Sequence, residues 1–276
     1  MSTSITRAIE PRFRTIDGLE IRYADTGTSH ESTLLLTSPW PESIYAFAPM
    51  WAMLAEHARL FAVDLPGFGA SERRDDLLSP RAMGGFLTRL ISEAELGRPH
   101  IVAPDVGTSA ALFGAAGHPD RFASVTVGTG GAAIPIDLGE PLRSWVLDPD
   151  LDKYRAIDPH AIVNAATDTI AGGVADEIRA DYLACYEGDR FVESMRYARK
   201  YPDELPALAK LLPGITTPVT IINGRHDRVV PVSNALFLGE RLPNSRVVLV
   251  DAGHFIWEEA PSEYAAAVLE TLERKD

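Results

Sequence analysis

Three side chains, far apart along the chain, have the types and the order that covalent hydrolysis needs: Asp105, Asp227 and His254. Asp105 lies in Ile101-Val102-Ala103-Pro104-Asp105-Val106-Gly107-Thr108-Ser109, where an apolar strand runs straight into a helix of small residues. Ala103 and Gly107 stand two residues to either side. So tight a corner packs backbone on backbone, so its flanks must be small and its central side chain is driven out above the sheet edge. This is the pattern of a nucleophile elbow, with aspartate where serine is commoner. The helix that starts there aims free N–H groups and its positive dipole end at the same spot, which favours an anion. Aspartate also suits a plain helix N-cap, so the stretch alone leaves both roles open.

An elbow nucleophile is followed along the chain by an acid and then by a histidine. Asp227 follows the apolar strand that ends at Asn223, on a loop at the carboxyl edge where such sheets bind ligands. His254, in Val250-Asp251-Ala252-Gly253-His254-Phe255, comes just past the last strand, on the same edge. The expected roles are Asp105 as nucleophile, His254 as base and Asp227 as the acid that orients it. Asp251 competes with Asp227, and His226 reads as a solvated loop residue. The other place for an acid, Val127-Gly128-Thr129-Gly130-Gly131, holds no carboxylate. Its glycines read as a turn and not as a phosphate loop, since no helix opens there.

The elements that must position these residues show in the periodicity. Buried strands are predicted at Thr33–Thr37, Arg59–Val63, His100–Ala103, Ala123–Val127, Val219–Asn223 and Arg246–Val250, with a half-exposed strand at Leu19–Ala24. Helices are predicted at Ala46–Glu56, Pro80–Leu96 (capped by Ser79), Gly107–Gly117, Val232–Arg241 and Ser262–Glu273. Strands alternating with helices imply a mostly parallel sheet covered on both faces. From about 136 to 212 the rhythm breaks into an acidic, helical stretch. The predicted division is a core of 1–135 and 213–276 carrying a helical lid of 136–212.

The chain has 276 residues, 46% hydrophobic and 24% charged, which is an ordinary globular balance. A net charge of −13 argues against nucleic acid and anionic membrane surfaces as partners and leaves a small-molecule substrate. The single cysteine, Cys185, excludes an intrachain disulfide and disfavours structural zinc. No run approaches the roughly 20 apolar residues of a membrane span. No cofactor or metal is expected, the expected location is cytoplasmic, and a homodimer stays open.

With these motifs in hand, the chain resembles the α/β-hydrolase superfamily, in its epoxide hydrolase and haloalkane dehalogenase branch, whose nucleophile is aspartate. The resemblance spans nearly the whole chain and is weakest in the lid. It includes Asp64-Leu65-Pro66-Gly67-Phe68-Gly69 and the segment Ser38-Pro39-Trp40-Pro41, similar to the family's His-Gly-x-Pro with Ser38 and Pro39 replacing its first two residues. It implies an oxyanion hole from the backbone N–H groups of Trp40 and Val106, and a cis Trp40–Pro41 bond. It also implies an alkyl ester on Asp105 that His254 and water resolve. Epoxide opening is the first expectation, with a lid tyrosine as acid: Tyr197, with Tyr186 and Trp145 as further pocket residues. Haloalkane dehalogenation is the alternative. There the family's tryptophan after the nucleophile is replaced by Val106, and Trp40 and Trp145 offer a substitute pair. An ester or lactone hydrolase and a non-catalytic binding member are the remaining readings.

Overall fold

A computed structural model describes residues 9–273. Its centre is an eight-stranded sheet in the order β1-β2-β4-β3-β5-β6-β7-β8. The strands are β1 (Arg12–Ile16), β2 (Leu19–Asp25), β3 (Thr33–Thr37), β4 (Arg59–Val63), β5 (His100–Pro104), β6 (Ser124–Gly128), β7 (Val219–Gly224) and β8 (Ser245–Val250). Pairing is antiparallel for β1–β2 and β2–β4 and parallel from β4 through β8. The central strands are buried almost throughout, because helices cover both faces and both sets of alternating side chains must be apolar. Leu35, Phe61, Val63 and Ile101 enter one core, while Leu34, Leu36, Leu60 and Val102 enter the other.

The helices are α1 (Ala48–Ala55), α2 (Pro80–Glu93), α3 (Val106–Gly117), α4 (Leu142–Leu147), α5 (Pro159–Thr167), α6 (Asp176–Cys185), α7 (Arg190–Ala198), α8 (Tyr201–Leu211), α9 (Ser233–Arg241), α10 (Ile256–Glu259) and α11 (Pro261–Glu273). α1 packs with α11, and α2 packs with α3 on the opposite face. α2 starts as its sequence dictates: Ser79 Oγ accepts the Ala82 N–H at 3.2 Å and Pro80 takes the first turn. Between β6 and β7 the chain runs through α4 to α8 without a described strand.

One strand, β1, is absent from the periodicity reading. Its sequence Arg-Phe-Arg-Thr-Ile is mostly exposed at the sheet edge, so it lacks a buried run. The signal was the turn: Asp17 and Gly18 have φ of 52° and 77°, the two positive angles that a two-residue hairpin favours.

This topology makes the site. From β3 the chain goes to β4 on one side and from there to β5 on the other. The loops after β3 and β5 therefore leave in opposite directions and open a crevice at their carboxyl ends. Trp40 lies on the first loop and Asp105 on the second.

Candidate active site

Asp105 links β5 to α3 with φ 51° and ψ −120°, a conformation that residues with a Cβ rarely adopt. Its surroundings hold it there. The Asp105 N–H donates to Gly128 O at 2.9 Å, and Thr108 Oγ1 donates to the same carbonyl at 2.9 Å. A Cβ on Gly107 would come within 2.4 Å of Thr37 Oγ1 and 2.9 Å of Ala103 Cβ, so the small flanks are steric requirements. Gly130 matters too, since a Cβ there would meet Asp105 O at 2.3 Å. Within the run that read as a plain turn, Gly130 is thus the wall against which the elbow closes.

The Asp105 side chain makes no cap bond to its own helix. Instead Oδ2 accepts the Trp40 N–H at 2.7 Å, and the nearby Val106 amide adds to the stabilisation of the carboxylate charge. Oδ1 lies 4.0 Å from His254 Nε2. On the far side of the ring, His254 Nδ1 meets Asp227 Oδ2 at 2.8 Å. Asp227 Oδ1 accepts the N–H groups of Val229 and Val230 at 2.9 and 2.8 Å, which locks the carboxylate in place. Asp105, Asp227 and His254 are all buried, at 5%, 6% and 8% exposure. The competing pair turns to solvent: His226 Nε2 and Asp251 Oδ1 are 2.8 Å apart, on side chains 69% and 86% exposed.

Burial pushes the Asp105 carboxyl up to about 6, against the opposing pull of His254 and the Trp40 and Val106 amides. Burial lowers His254, yet the charge and hydrogen bond of Asp227, followed by the charge of Asp105, leave it raised overall.

A cavity of about 560 Å³ opens over Asp105 and His254. Trp40, Val229 and Phe255 line it from the sheet side, and Trp145, Ile162 and Ala166 from the helical insertion. Trp40 and Trp145 meet edge to face at 5.6 Å, and Trp40 stacks on Phe191 at 4.9 Å. The Trp40 indole N–H is buried without a hydrogen-bond partner.

Two residues expected in the pocket lie elsewhere. Tyr197 Oη donates to Val106 O at 2.7 Å, behind the elbow, and its ring packs edge-on against Phe68. Tyr186 Oη donates to Glu42 O at 3.2 Å and accepts the Gly69 N–H at 3.3 Å. Both are fully buried and neither lines the cavity. Tyr197 sits on the side of α7 that packs on the sheet domain, and Tyr186 just past the end of α6, so each hydroxyl satisfies backbone groups there. The i, i+4 pair Tyr182 and Tyr186 likewise forms a helix-to-core contact. Among the described residues no group of three or more His, Cys, Asp or Glu side chains is arranged to hold a metal. No described helix is long and apolar enough to cross a membrane.

The elbow, the hydrogen-bonded Asp227–His254 pair and the β3–β5 crevice are features of one fold, and the family model of the alpha/beta hydrolase fold matches residues 33–261. The chain belongs to the α/β-hydrolase fold family. A 2-hydroxy-6-oxononadienedioate/2-hydroxy-6-oxononatrienedioate hydrolase from Burkholderia vietnamiensis is 29% identical to this hydrolase, over 94% of this chain and 93% of that protein. The enol-lactonase from Burkholderia xenovorans superposes with a TM-score of 0.78 at 22% identity, covering 95% of this chain and 100% of that one. The epoxide hydrolase CorEH superposes with a TM-score of 0.79 at 20% identity, covering 96% and 99%.

Proposed function

We propose that this α/β-hydrolase works through a covalent ester on Asp105, formed by attack on a saturated, electrophilic carbon of a small or mid-sized apolar substrate. The observation that carries this reading is the division of labour within the Asp105 carboxylate. One oxygen rests on the Trp40 amide, and the other lies 4.0 Å from His254, the two residues lining one cavity. A serine nucleophile would need a hydrogen bond to the histidine that takes its proton. A carboxylate carries no proton to take, so the longer spacing suits it.

In the first step Asp105 Oδ1 attacks carbon and the leaving group departs with the bonding pair. In the second, His254 Nε2 takes a proton from water, and the hydroxide adds to the ester carbonyl carbon. The resulting oxyanion develops at Oδ2, which the Trp40 amide holds with the Val106 amide nearby, and one such donor is typically worth about 10²–10³ in rate. Its collapse breaks the ester bond, and the departing alkoxide takes the proton from His254. The two steps are coupled electrostatically. Esterification removes the Asp105 charge that helps to hold a proton on His254, so the histidine becomes the freer base when it is needed. The insertion, residues 136–212, acts as the lid that carries the apolar wall of the pocket.

Two electrophiles can start this sequence, and the cavity favours one. An epoxide oxygen must be protonated as it leaves, and the hydroxyls of Tyr197 and Tyr186, the expected acids, are bonded to backbone groups outside the cavity. A halide needs hydrogen bonds alone. Trp40 and Trp145 both line the cavity, and the Trp40 indole N–H, buried at its wall without a partner, becomes a donor to leaving halide when its ring turns toward the cavity. An orphaned buried donor costs about 1–3 kcal/mol, which a bound halide recovers. This lining supports a haloalkane over an epoxide, which would require the lid to shift and present a tyrosine.

The test is repeated turnover in ¹⁸O water with a 1-halobutane and a styrene-oxide-like epoxide, followed by mass analysis of the Asp105 peptide. Halide release with label in Asp105 is the expected result. Diol with label in Asp105 would keep the ester mechanism and restore the epoxide. Product formed with no label in Asp105 would remove the ester mechanism. It would move the chain toward acyl or carbon–carbon hydrolysis, the direction in which the Burkholderia relative's name points.

A further inference from the structure

Outside the reacting centre, two carboxyl groups are buried against each other. Glu42, two residues past Trp40, is fully buried. It lies within hydrogen-bonding reach of Glu258 of α10, four residues past His254. One oxygen of each is bonded: Trp257 Nε1 donates to Glu42 Oε2 at 2.9 Å, and Tyr182 Oη donates to Glu258 Oε1 at 2.9 Å. The other oxygen of each, Glu42 Oε1 and Glu258 Oε2, is buried with no N–H or O–H donor. The charges facing the pair do not favour two anions. Asp105 stands toward Glu42, and Glu259 and Arg179 act on Glu258. Arg179 is itself paired with Asp168 at 2.8 Å. One proton held between the two carboxyls satisfies both bare oxygens and removes the repulsion.

The pair sits where three segments meet. Glu42 belongs to the loop that presents the Trp40 amide, and Glu258 follows the turn that presents His254. Tyr182 comes from α6 of the insertion and is fully buried. α6 and the residue that ends it hold the Glu42 loop at two further points, the Tyr186 hydroxyl on Glu42 O and Ser43 Oγ donating to Asp181 Oδ2 at 2.6 Å.

The structure assigns Glu42, Glu258 and Tyr182 a joint role as a one-proton clamp that holds α6 down on the two loops presenting the Trp40 amide and His254. They are positioning residues, since none lines the cavity or bonds the Asp105 carboxylate. Loss of the shared proton leaves two buried anions at this junction, and the cheapest relief is to lift α6 and admit water. Burial first, and the neighbouring carboxylate next, hold Glu42 well above its ordinary 4.5, and Glu258 is raised with it. The folded state therefore binds this proton more tightly than the unfolded chain does. The stability it confers is complete below the unfolded value and drains as pH rises toward the folded one.

The experiment needs no substrate. Melting temperature and deuterium uptake of the α6 peptide are followed from about pH 5 to about pH 9 for the wild type, Glu42→Gln and Glu258→Gln. Glutamine supplies a permanent N–H in place of the shared proton. The wild-type Tm is expected to fall relative to E42Q by roughly 3 °C per pH unit. α6 uptake should rise with pH in the wild type and stay flat in E42Q, and E258Q carries the same comparison should E42Q not fold. Equal pH slopes in the wild type and the variants would overturn the clamp. Tyr182→Phe keeps the pair, so it should raise α6 uptake at every pH while preserving the Tm slope. Unchanged uptake would disconnect α6 from the clamp.

Discussion

Asp105 and His254 divide the proposed reaction between them, and their substitutions separate its steps. Asp105→Asn removes the anionic nucleophile and is expected to abolish turnover in a halide-release assay. His254→Gln leaves the attack intact and stops ester hydrolysis. Incubation with a haloalkane should then leave the intact protein heavier by one alkyl group, and an unchanged mass would count against the ester. The pH dependence follows from the same burial. The Asp105 carboxyl, pushed up to about 6, must be ionised to attack, so the single-turnover alkylation rate should climb as pH passes through about 6 and then level off. A rate that is flat across that region would mean that Asp105 is not the titrating nucleophile. His254 stays raised while Asp105 is charged and is released as base by esterification, so alkylation and hydrolysis should show different pH profiles.

At the scale of elements, the site depends on how closely β5, α3 and the β6 turn approach one another. The positive φ of Asp105 is held because Gly107 leaves room for the Thr37 and Ala103 side chains and Gly130 lets its backbone meet the Asp105 carbonyl. Gly107→Val would drive a side chain into Thr37 and Ala103. It should reduce turnover by two orders of magnitude or more, since about 1 Å of misplacement typically costs about 10²-fold. Circular dichroism checks that the sheet survives, and full activity in a folded Gly107→Val protein would contradict the steric argument. The elbow was legible in the sequence because its small flanks are local. The function of Gly130 was not, because the group it makes room for, the Asp105 carbonyl, is distant in sequence.

Across the molecule, the insertion is tied to the sheet domain by buried polar contacts as well as by apolar packing. Arg22 on β2 meets Asp64 at 2.6 Å and Asp181 of α6 at 2.7 Å, with Arg22 and Asp64 side chains only 6% and 0% exposed. Breaking a buried ion pair from one side strands the other charge and typically costs about 3–5 kcal/mol. Arg22→Met is therefore expected to lower stability by about that amount in urea unfolding. α6 should gain deuterium faster than β5 does. A loss below about 1 kcal/mol would place Arg22 among the surface pairs that contribute little.

The sequence by itself determined the alternation of strands and helices, the elbow at Asp105 and the chain order of Asp227 and His254. These are properties of local periodicity, of backbone sterics at a tight corner and of the order in which loops reach one sheet edge. Only the tertiary structure decided that the lid tyrosines Tyr182, Tyr186 and Tyr197 turn away from the cavity. Tyr182 and Tyr197 sit on helices, and Tyr186 at the end of one, whose buried side can meet either a pocket or a core, and the sequence pattern is the same for both. Only the fold brought Glu42 and Glu258 together. Their contact crosses most of the chain, and no spacing rule links a loop after the third strand to a helix after the last.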